Sequence, residues 1–173
     1  MVDHLTKKHR SWNMSHIRSK HSKPEVIIRS LLHRAGYRFR LNNKKLPGCP
    51  DIVLSKYRMV IFVNGCFWHR HENCSRSTMP NTNKEYWITK FDKNVLRDIT
   101  VKKELEKQGW NVLIEWECEI IKDPFVVLDR ILSKSNTKIL KNYSLGINRV
   151  EILKIAENRS NYLIKKGTIR REG

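Results

Sequence analysis

Hydrophobic residues recur along the chain with two different periods, and the period indicates which segments form helices and which form strands. From residue 24 to residue 35 they are spaced three or four positions apart, and the pattern stops at Gly36. Pro24 suits the first turn of such a helix. Between residues 37 and 41, aromatic and aliphatic residues alternate with two arginines, which is typical of a half-buried strand. These patterns predict one helix followed by one strand.

Two short apolar runs and one long periodic segment come next. The run Asp51–Leu54 begins a second strand, and Met59–Val63 is apolar on both faces, as expected for a central strand. A helical pattern of about five or six turns then extends from Tyr86 to Leu105 and ends at Gly109. The middle of the chain therefore predicts two more strands and a long helix.

The last clear patterns are a strand at Trp110–Trp116 and a short helix that Asp123 and Pro124 cap and open, ending at Ile131. Beyond residue 133 the periodicity is irregular, although residues 148–166 are compatible with a helix that begins with a capping box. The order helix, strands, helix, strand, helix predicts a mixed α/β domain with a central sheet.

The length of 173 residues is that of one compact domain with appended ends. The longest apolar run, Met59–Val63, is far shorter than the ~20 residues that cross a bilayer, so no membrane helix is expected. The first ten residues are charged and lead into no apolar stretch, which argues against a secretory signal. We therefore expect a cytoplasmic protein.

Charge points to the class of partner. Lysine and arginine number 35 against 17 acidic residues, which gives a net charge of +18 and favours a polyanion such as nucleic acid. A basic surface that is merely solvated is the alternative, and membrane binding is less favoured because the charges are spread along the chain. We divide the chain into a basic DNA-binding arm at residues 1–22, a core domain at 23–132 and a basic extension of unassigned role at 133–173.

The four cysteines form no C-x-x-C pair, so a metal site would need histidine as well. Cys66, His71 and Cys74 fall within nine residues, and Cys118 ends a strand expected to neighbour the first. Three thiolates and one imidazole make a closed tetrahedral zinc site, which is structural in function. The alternative is that the cysteines are ordinary buried thiols and that His71 is a surface residue.

Candidate chemistry lies on either side of the central strand. Asp51, at the mouth of a strand in a cationic protein, is the kind of carboxylate that a nuclease uses to hold Mg²⁺, although Pro50-Asp51 also suits an ordinary turn. If zinc takes His71, His69 is free to transfer a proton near Asp51. Phe67 and Trp68 fit either an intercalating wedge or a core.

Five motifs, in order, resemble those of the very short patch repair (Vsr) DNA mismatch endonucleases over about residues 10 to 120. They are Leu46-Pro-Gly-Cys-Pro-Asp-Ile-Val, Val60-Ile-Phe-Val-Asn-Gly-Cys-Phe-Trp-His, Asn83-Lys-Glu-Tyr-Trp, Lys93-Asn-Val-Leu-Arg-Asp, and Gly109-Trp with Trp116-Glu-Cys; Asn13-Met14 and Pro24-Glu25 also match. The resemblance makes residues 23–132 a Vsr-like endonuclease domain. Its implied fold is a restriction-endonuclease-like core of the PD-(D/E)XK type, with a central mixed sheet flanked by helices and a structural zinc site.

The implied activity is Mg²⁺-dependent nicking of double-stranded DNA on the 5′ side of the thymine in a T:G mismatch, which begins very short patch repair of deaminated 5-methylcytosine. By the same resemblance, Asp51 and the main-chain carbonyl of Val63 would bind Mg²⁺. His69 would be the general acid/base, and Glu25 would reach the metal through water. The acidic and lysine positions of the wider superfamily are Val63 and Gly65 here, so the catalytic reading depends on the Vsr variant with its histidine.

The resemblance also implies a zinc site at Cys66, His71, Cys74 and Cys118, and it assigns DNA contacts. Phe67, Trp68 and Trp87 would enter the base stack from one groove, and Met14 on the arm would enter from the other. Asn64 stands where relatives often carry Asp or His, and it is expected to alter how Asp98 and the metal waters are arranged.

Two classes of function remain open. The enzyme reading predicts a monomer of the prokaryotic cytoplasm, associated with the nucleoid, with other DNA repair proteins as candidate partners and no membrane. The alternative is a zinc-stabilised, non-catalytic binder of distorted or mismatched DNA. The joint presence of Glu25, Asp51 and His69 favours the enzyme.

Overall fold

A computed structural model describes residues 6, 8, 9, 12 and 21–135. Two predictions from the sequence, the intercalating Met14 and the helical pattern at 148–166, lie outside the described residues.

The described core contains four helices, four strands and one 3₁₀ turn. They are α1 (Lys23–Arg34), β1 (Arg40–Leu41), β2 (Ile52–Leu54), a 3₁₀ turn (Ser55–Tyr57), β3 (Met59–Asn64), α2 (Lys84–Lys107), β4 (Asn111–Trp116), α3 (Glu117–Lys122) and α4 (Pro124–Lys134). The prediction of a mixed α/β domain is confirmed. Helix α4 continues two residues past the domain boundary predicted at residue 132.

The four strands form one mixed sheet in the order β1-β2-β3-β4. The pairs β1–β2 and β2–β3 are antiparallel, whereas β3 and β4 are parallel. Parallel pairing brings Asn64 opposite Trp116 at the carboxyl ends of the two strands. The segments that follow β3 and β4 therefore leave the sheet at the same end.

Helices cover both faces of this sheet. Successive residues of a strand point to opposite faces, so Ile52, Leu54 and Ile61 share the larger core with α1, α3 and α4. Val53 and Val60 lie on the opposite face, where Leu105 of α2 covers them. The layers are thus three helices, the sheet and one long helix.

Helix α1 begins with Pro24 in its first turn, as the sequence predicts. Ser22 is the N-cap and forms a capping box with Glu25, which was not predicted. The helix packs its apolar face, including Ile28 and Leu31, wholly out of solvent. Gly36 with φ +81° follows the helix, and the amide of Tyr37 donates to the Leu32 carbonyl over 2.9 Å.

The strand predicted at residues 37–41 is mostly wrong, because only Arg40 and Leu41 pair with β2. Tyr37 instead turns into the larger core, where its hydroxyl lies 3.0 Å from Ser135 Oγ and its ring lies 5.1 Å from that of Tyr57. An alternating pattern cannot distinguish a strand from an extended segment whose side chains alternate for other reasons.

The sequence patterns also missed helix α3. Cys118 was predicted at the end of a strand, but β4 ends at Trp116 and Cys118 lies in the first turn of α3. A helix of six residues is too short to produce a periodic signal.

The long helix α2 is confirmed, but most of its apolar residues do not enter the core. Only Phe91 and Leu105 are buried, whereas Ile88, Leu96 and Ile99 are exposed. Within the described part of the chain, no helix is both long enough and apolar enough to cross a membrane.

Candidate active site and metal centre

The carboxylate of Asp51 lies at the start of β2, where the register of the sheet directs it to the end of β3. Ile52 pairs with Ile61, so Asp51 lies beside the last residues of β3, and its Oδ2 accepts a hydrogen bond of 2.9 Å from the Val63 amide. The turn before β2 lies against α2, since a Cβ on Gly48 would be only 2.4 Å from Val101 Cγ1. Close packing of this turn therefore fixes where Asp51 enters the strand.

Burial raises the pKa of Asp51 from 3.8 to about 6. The Val63 amide opposes this shift, the negative charge of Glu25 adds to it, and the positive charges of Arg29 and His69 reduce it. No described residue donates a hydrogen bond to Oδ1 of Asp51. A partly desolvated carboxylate with one oxygen that no described residue engages is suited to binding a cation.

His69 and Asp98 form the second pair of the site. His69 lies on the loop after β3, its Nδ1 is in short contact with Asp98 Oδ2, and Asp98 lies on α2. The amide of His69 is anchored to the Gly65 carbonyl at 3.1 Å, and Arg97 Nη2 donates to Asp98 Oδ1 over 3.3 Å. Asp98 thus orients the imidazole, which leaves Nε2 as the nitrogen that can exchange a proton.

One cleft of about 270 Å³ gathers these groups. The residues predicted from the sequence that line it are Glu25, Asp51, Val63, Asn64, His69 and Asp98. Asn64 is 7% exposed at the end of β3, and the cations Arg97 and Lys102 of α2 also line the cleft. Three carboxylates, one imidazole and two cations in one cleft can bind a metal ion and a phosphate together.

Glu25 faces this cleft but is already heavily hydrogen-bonded. It accepts from the His21 and Ser22 amides, the Ser22 hydroxyl and Arg29 Nη2. A carboxylate has about four lone-pair sites, so the His21 amide, the two groups of Ser22 and the arginine engage all of them. A role for Glu25 toward a metal through water would require sharing one of these positions.

The four predicted zinc ligands converge in space. The ligand atoms of Cys66, His71, Cys74 and Cys118 all lie within 4.8 Å of one another, and His71 Nδ1 is 3.5 Å from Cys66 Sγ and 3.3 Å from Cys118 Sγ. Tetrahedral zinc with bonds of about 2.0–2.3 Å separates its ligands by about 3.3–3.8 Å, so the donor set fits the ion. It is the only converging group of three or more His, Cys, Asp or Glu ligands that the described residues contain.

Two neighbours hold this cluster in place. The His71 ring stacks on Trp116 at 4.1 Å between centroids, and the Cys66 amide donates to Glu117 Oε1 over 3.1 Å. Burial raises the pKa of the Cys66 thiol to about 12. Because a buried thiolate beside other sulfurs is costly, a cation is what would stabilise the deprotonated set.

An aromatic cluster joins the loop after β3 to helix α2. Phe67 lies edge-on to Trp68, Trp87 and Phe91, with ring centroids 5.1, 5.5 and 5.2 Å apart. Phe91 is buried, whereas the other three rings are half-buried. Asn94 holds the loop by donating to the Trp68 carbonyl over 3.0 Å. The rings form a shelf with exposed edges that is continuous with neither main core.

The sequence analysis missed several supporting residues. Arg29, Asn94, Trp116 and Glu117 each hold a predicted site residue in place, as described above. Arg29 had a local signal, since it lies four residues after Glu25 on a predicted helix. Asn94, Trp116 and Glu117 lie within the quoted family motifs, but their contacts with the loop after β3 are long-range and no local pattern reports them.

Comparison with known proteins shows the family to which the chain belongs. A family model described as DNA mismatch endonuclease Vsr matches residues 2–76. The protein named DNA mismatch endonuclease Vsr from Escherichia coli K12 is 43% identical over 120 residues, which are 69% of this chain and 76% of that protein. The type II nicking enzyme V.NmeAIP of Neisseria meningitidis serogroup A is 47% identical over 120 residues, 69% of this chain and 85% of that enzyme.

A third relative, the type II nicking enzyme V.XorIIP of Xanthomonas oryzae pv. oryzae, is 45% identical over 120 residues, 69% of this chain and 88% of that enzyme. By these relationships the chain is a DNA endonuclease by class. More narrowly, it belongs to the family of the DNA mismatch endonuclease Vsr. The family and the enzyme class predicted from the sequence are both confirmed.

The raised pKa of Asp51 predicts that this carboxylate destabilises the folded protein at neutral pH. Ionisation costs stability as the pH rises from 3.8 through about 6, because the folded state holds the proton more tightly than the unfolded state does. Asp51→Asn should therefore be more stable than wild type at about pH 8, by on the order of 1–3 kcal/mol, and equally stable near about pH 4. Urea unfolding without added Mg²⁺ measures the difference.

The matched control is Asp129→Asn, which removes an exposed carboxylate on α4. Its stability should follow that of wild type at both pH values. A pH-independent difference for Asp51→Asn would contradict the predicted cost of ionising Asp51.

Proposed function

We propose that the protein is a Mg²⁺-dependent endonuclease that nicks double-stranded DNA 5′ of the thymine in a T:G mismatch and so begins very short patch repair of deaminated 5-methylcytosine. The observation that carries the proposal is the arrangement of Asp51 and the His69–Asp98 pair in one cleft at the end of β3. The family of the chain supports it, since the E. coli relative is named a mismatch endonuclease.

Asp51 and the Val63 carbonyl would hold Mg²⁺, and two properties of Asp51 support that assignment: no described residue binds its Oδ1, and its pKa is raised. The ion would supply charge neutralisation at the phosphate and activate a water molecule. Asn64 is buried beside Val63 and offers an amide, so it can orient a water but cannot take a proton. Arg97 and Lys102 at the cleft add positive charge where a phosphate would bind.

His69 would act as the general acid/base. Asp98 accepts from Nδ1 and fixes the tautomer, so Nε2 is the atom that moves the proton. Because Arg97 also contacts Asp98, the carboxylate is held from two sides and the ring orientation is well defined. This is the usual division of work between a catalytic histidine and the acid that orients it.

Mismatch selection would come from the aromatic shelf. Inserting Phe67, Trp68 and Trp87 into a base stack costs a few kcal/mol, and the cost is lower at a mismatch that is already poorly paired. Met14 would enter from the opposite groove. The exposed edges of rings that are held by their neighbours supply a preformed wedge.

Zinc at Cys66, His71, Cys74 and Cys118 would be structural, because protein side chains supply all four ligands. It would tie the loop that carries His69 to the first turn of α3. We further propose that the enzyme acts as a monomer in the prokaryotic cytoplasm, associated with the nucleoid, with other DNA repair proteins as candidate partners. The net charge of +18 supports association with DNA.

The proposed function predicts Mg²⁺-dependent nicking that is faster on T:G than on T:A duplexes of one sequence at fixed salt. His69→Ala should slow the single-turnover rate by about 10² to 10⁴, the usual contribution of general acid/base catalysis. His33→Ala, which removes an exposed histidine of α1, is the control and should nick at the wild-type rate.

Two outcomes would contradict this proposal. Mismatch binding without turnover would favour the non-catalytic binder of distorted DNA, and a rate ratio near one in many flanking sequences would indicate a nuclease of different specificity.

Loss of zinc is predicted to lower the stability of the fold before it changes the rate of the catalytic step. Wild type should contain about one zinc per chain by elemental analysis. Cys118→Ser should lower the melting temperature by ~10 °C or more, since losing about 3 kcal/mol shifts a domain of this size by that much. Cys49→Ser, outside the cluster, should retain zinc and stability. Well-folded wild type without zinc would refute the structural role.

The wedge is predicted to control discrimination more than affinity. Trp68→Ala should reduce the T:G to T:A rate ratio by about tenfold, because each stacked base contributes about 1–3 kcal/mol. General duplex affinity should change less, since lysine and arginine contacts to phosphate dominate it. Trp68→Phe keeps an aromatic face and should retain most of the ratio. An unchanged ratio for Trp68→Ala would assign this ring to packing instead.

A further inference from the structure

A buried arginine of α1 connects the start of the continuous described region to the catalytic cleft. Arg29 is 8% exposed, its Nη2 donates to Glu25 Oε2, and its Nη1 lies 2.8 Å from Nδ1 of His21. A guanidinium only donates hydrogen bonds, so Nδ1 of His21 is the acceptor of that bond. One side chain therefore holds both His21 and Glu25.

The same three residues form a closed ring of hydrogen bonds. The His21 amide donates to Glu25 Oε2 over 3.0 Å, which is the oxygen that Arg29 also binds. His21 has a positive φ of 57°, an uncommon conformation for a residue with a side chain. Two hydrogen bonds, one from its amide and one to its ring, stabilise that conformation.

Both Nη atoms of Arg29 make hydrogen bonds within this ring. Its Nε is the one buried side-chain nitrogen or oxygen in the described part of the chain that has no hydrogen-bond partner. A buried donor without a hydrogen-bond partner costs stability, so a side chain keeps one only where other contacts fix its position. For Arg29, those contacts are the hydrogen bonds of its two Nη atoms to His21 and Glu25.

We propose that Arg29 is a positioning residue that couples His21 to the active site, an inference that rests on the proposed function. The position of His21 sets that of the Arg29 guanidinium, and Arg29 sets that of Glu25, which lines the cleft beside Asp51. The alignment of Glu25 in the cleft therefore depends on the contact between Arg29 and His21.

A purely structural role would be simpler, since Glu25 and Arg29 form an i,i+4 ion pair on α1. The ion pair alone would stabilise the helix and would not involve His21. The two roles differ in one respect, because coupling requires that Arg29 and His21 act on the reaction through the same contact.

The test is a double-mutant cycle on the full-length protein. Single-turnover nicking of a T:G duplex is measured with enzyme and Mg²⁺ in excess, well below each melting temperature. His21→Ala and Arg29→Lys should each lower the rate about tenfold or more, as loss of an outer partner of a site typically does. Lysine keeps a cation for Glu25 but lacks the fork that also reaches His21. The double variant should nick no more slowly than the slower single variant, because both substitutions remove the same contact.

Controls on the last turn of α1 are His33→Ala and Arg34→Lys, which should nick at the wild-type rate. Two outcomes would overturn the coupling while wild type still nicks. Either the single variants nick at the wild-type rate, or the rate losses of the two single variants multiply in the double variant. Failure of wild type itself to nick T:G DNA would overturn the proposed function and the coupling with it. If Arg29→Lys does not fold, His21→Ala decides, since a wild-type rate for this variant of an exposed residue also overturns the coupling.

Discussion

The parallel pairing of β3 with β4 is the constraint on which the candidate site depends. It brings Asn64 opposite Trp116, so the loop after β3 and helix α3 after β4 leave the sheet side by side. Three of the four residues of the candidate metal site lie on that loop and the fourth lies on α3, so their convergence depends on this register. A shift of one residue would turn every side chain of β3 to the opposite face.

The carboxylates of the cleft lower the stability of the folded protein. It gathers three carboxylates, and burial raises the pKa of Asp51 although the protein as a whole carries a charge of +18. Individual arginines offset this negative charge locally. The positive charge of Arg29 lowers the pKa of Asp51, and Arg97 donates a hydrogen bond to Asp98. The general basic surface therefore serves contact with DNA, whereas individually placed arginines keep the acidic cleft tolerable.

Local patterns predicted what depends on local chemistry. The apolar run of β3, the start of α1 near Pro24 and the short spacing of Cys66, His71 and Cys74 were all visible in the sequence. Tyr37 and helix α3 were not, because the fate of Tyr37 is decided by contacts with Tyr57 and Ser135, which lie far from it in the chain. The exposed apolar face of α2 likewise shows that helical periodicity predicts a helix without predicting which side the core will take.

Glu25 shows how folding and site assembly are joined in this chain. The same carboxylate completes the capping box that begins α1, binds Arg29 and lines the cleft. A capping box forms only when the helix forms, so the orientation of Glu25 in the cleft is fixed by the first turn of α1 and not by a flexible loop. The loop after β3 is held differently, because its contacts with Trp116 and Glu117 join residues that are far apart in the chain. The cleft is thus bounded by one element fixed by local hydrogen bonds and one fixed by long-range contacts, and together they preorganise the site.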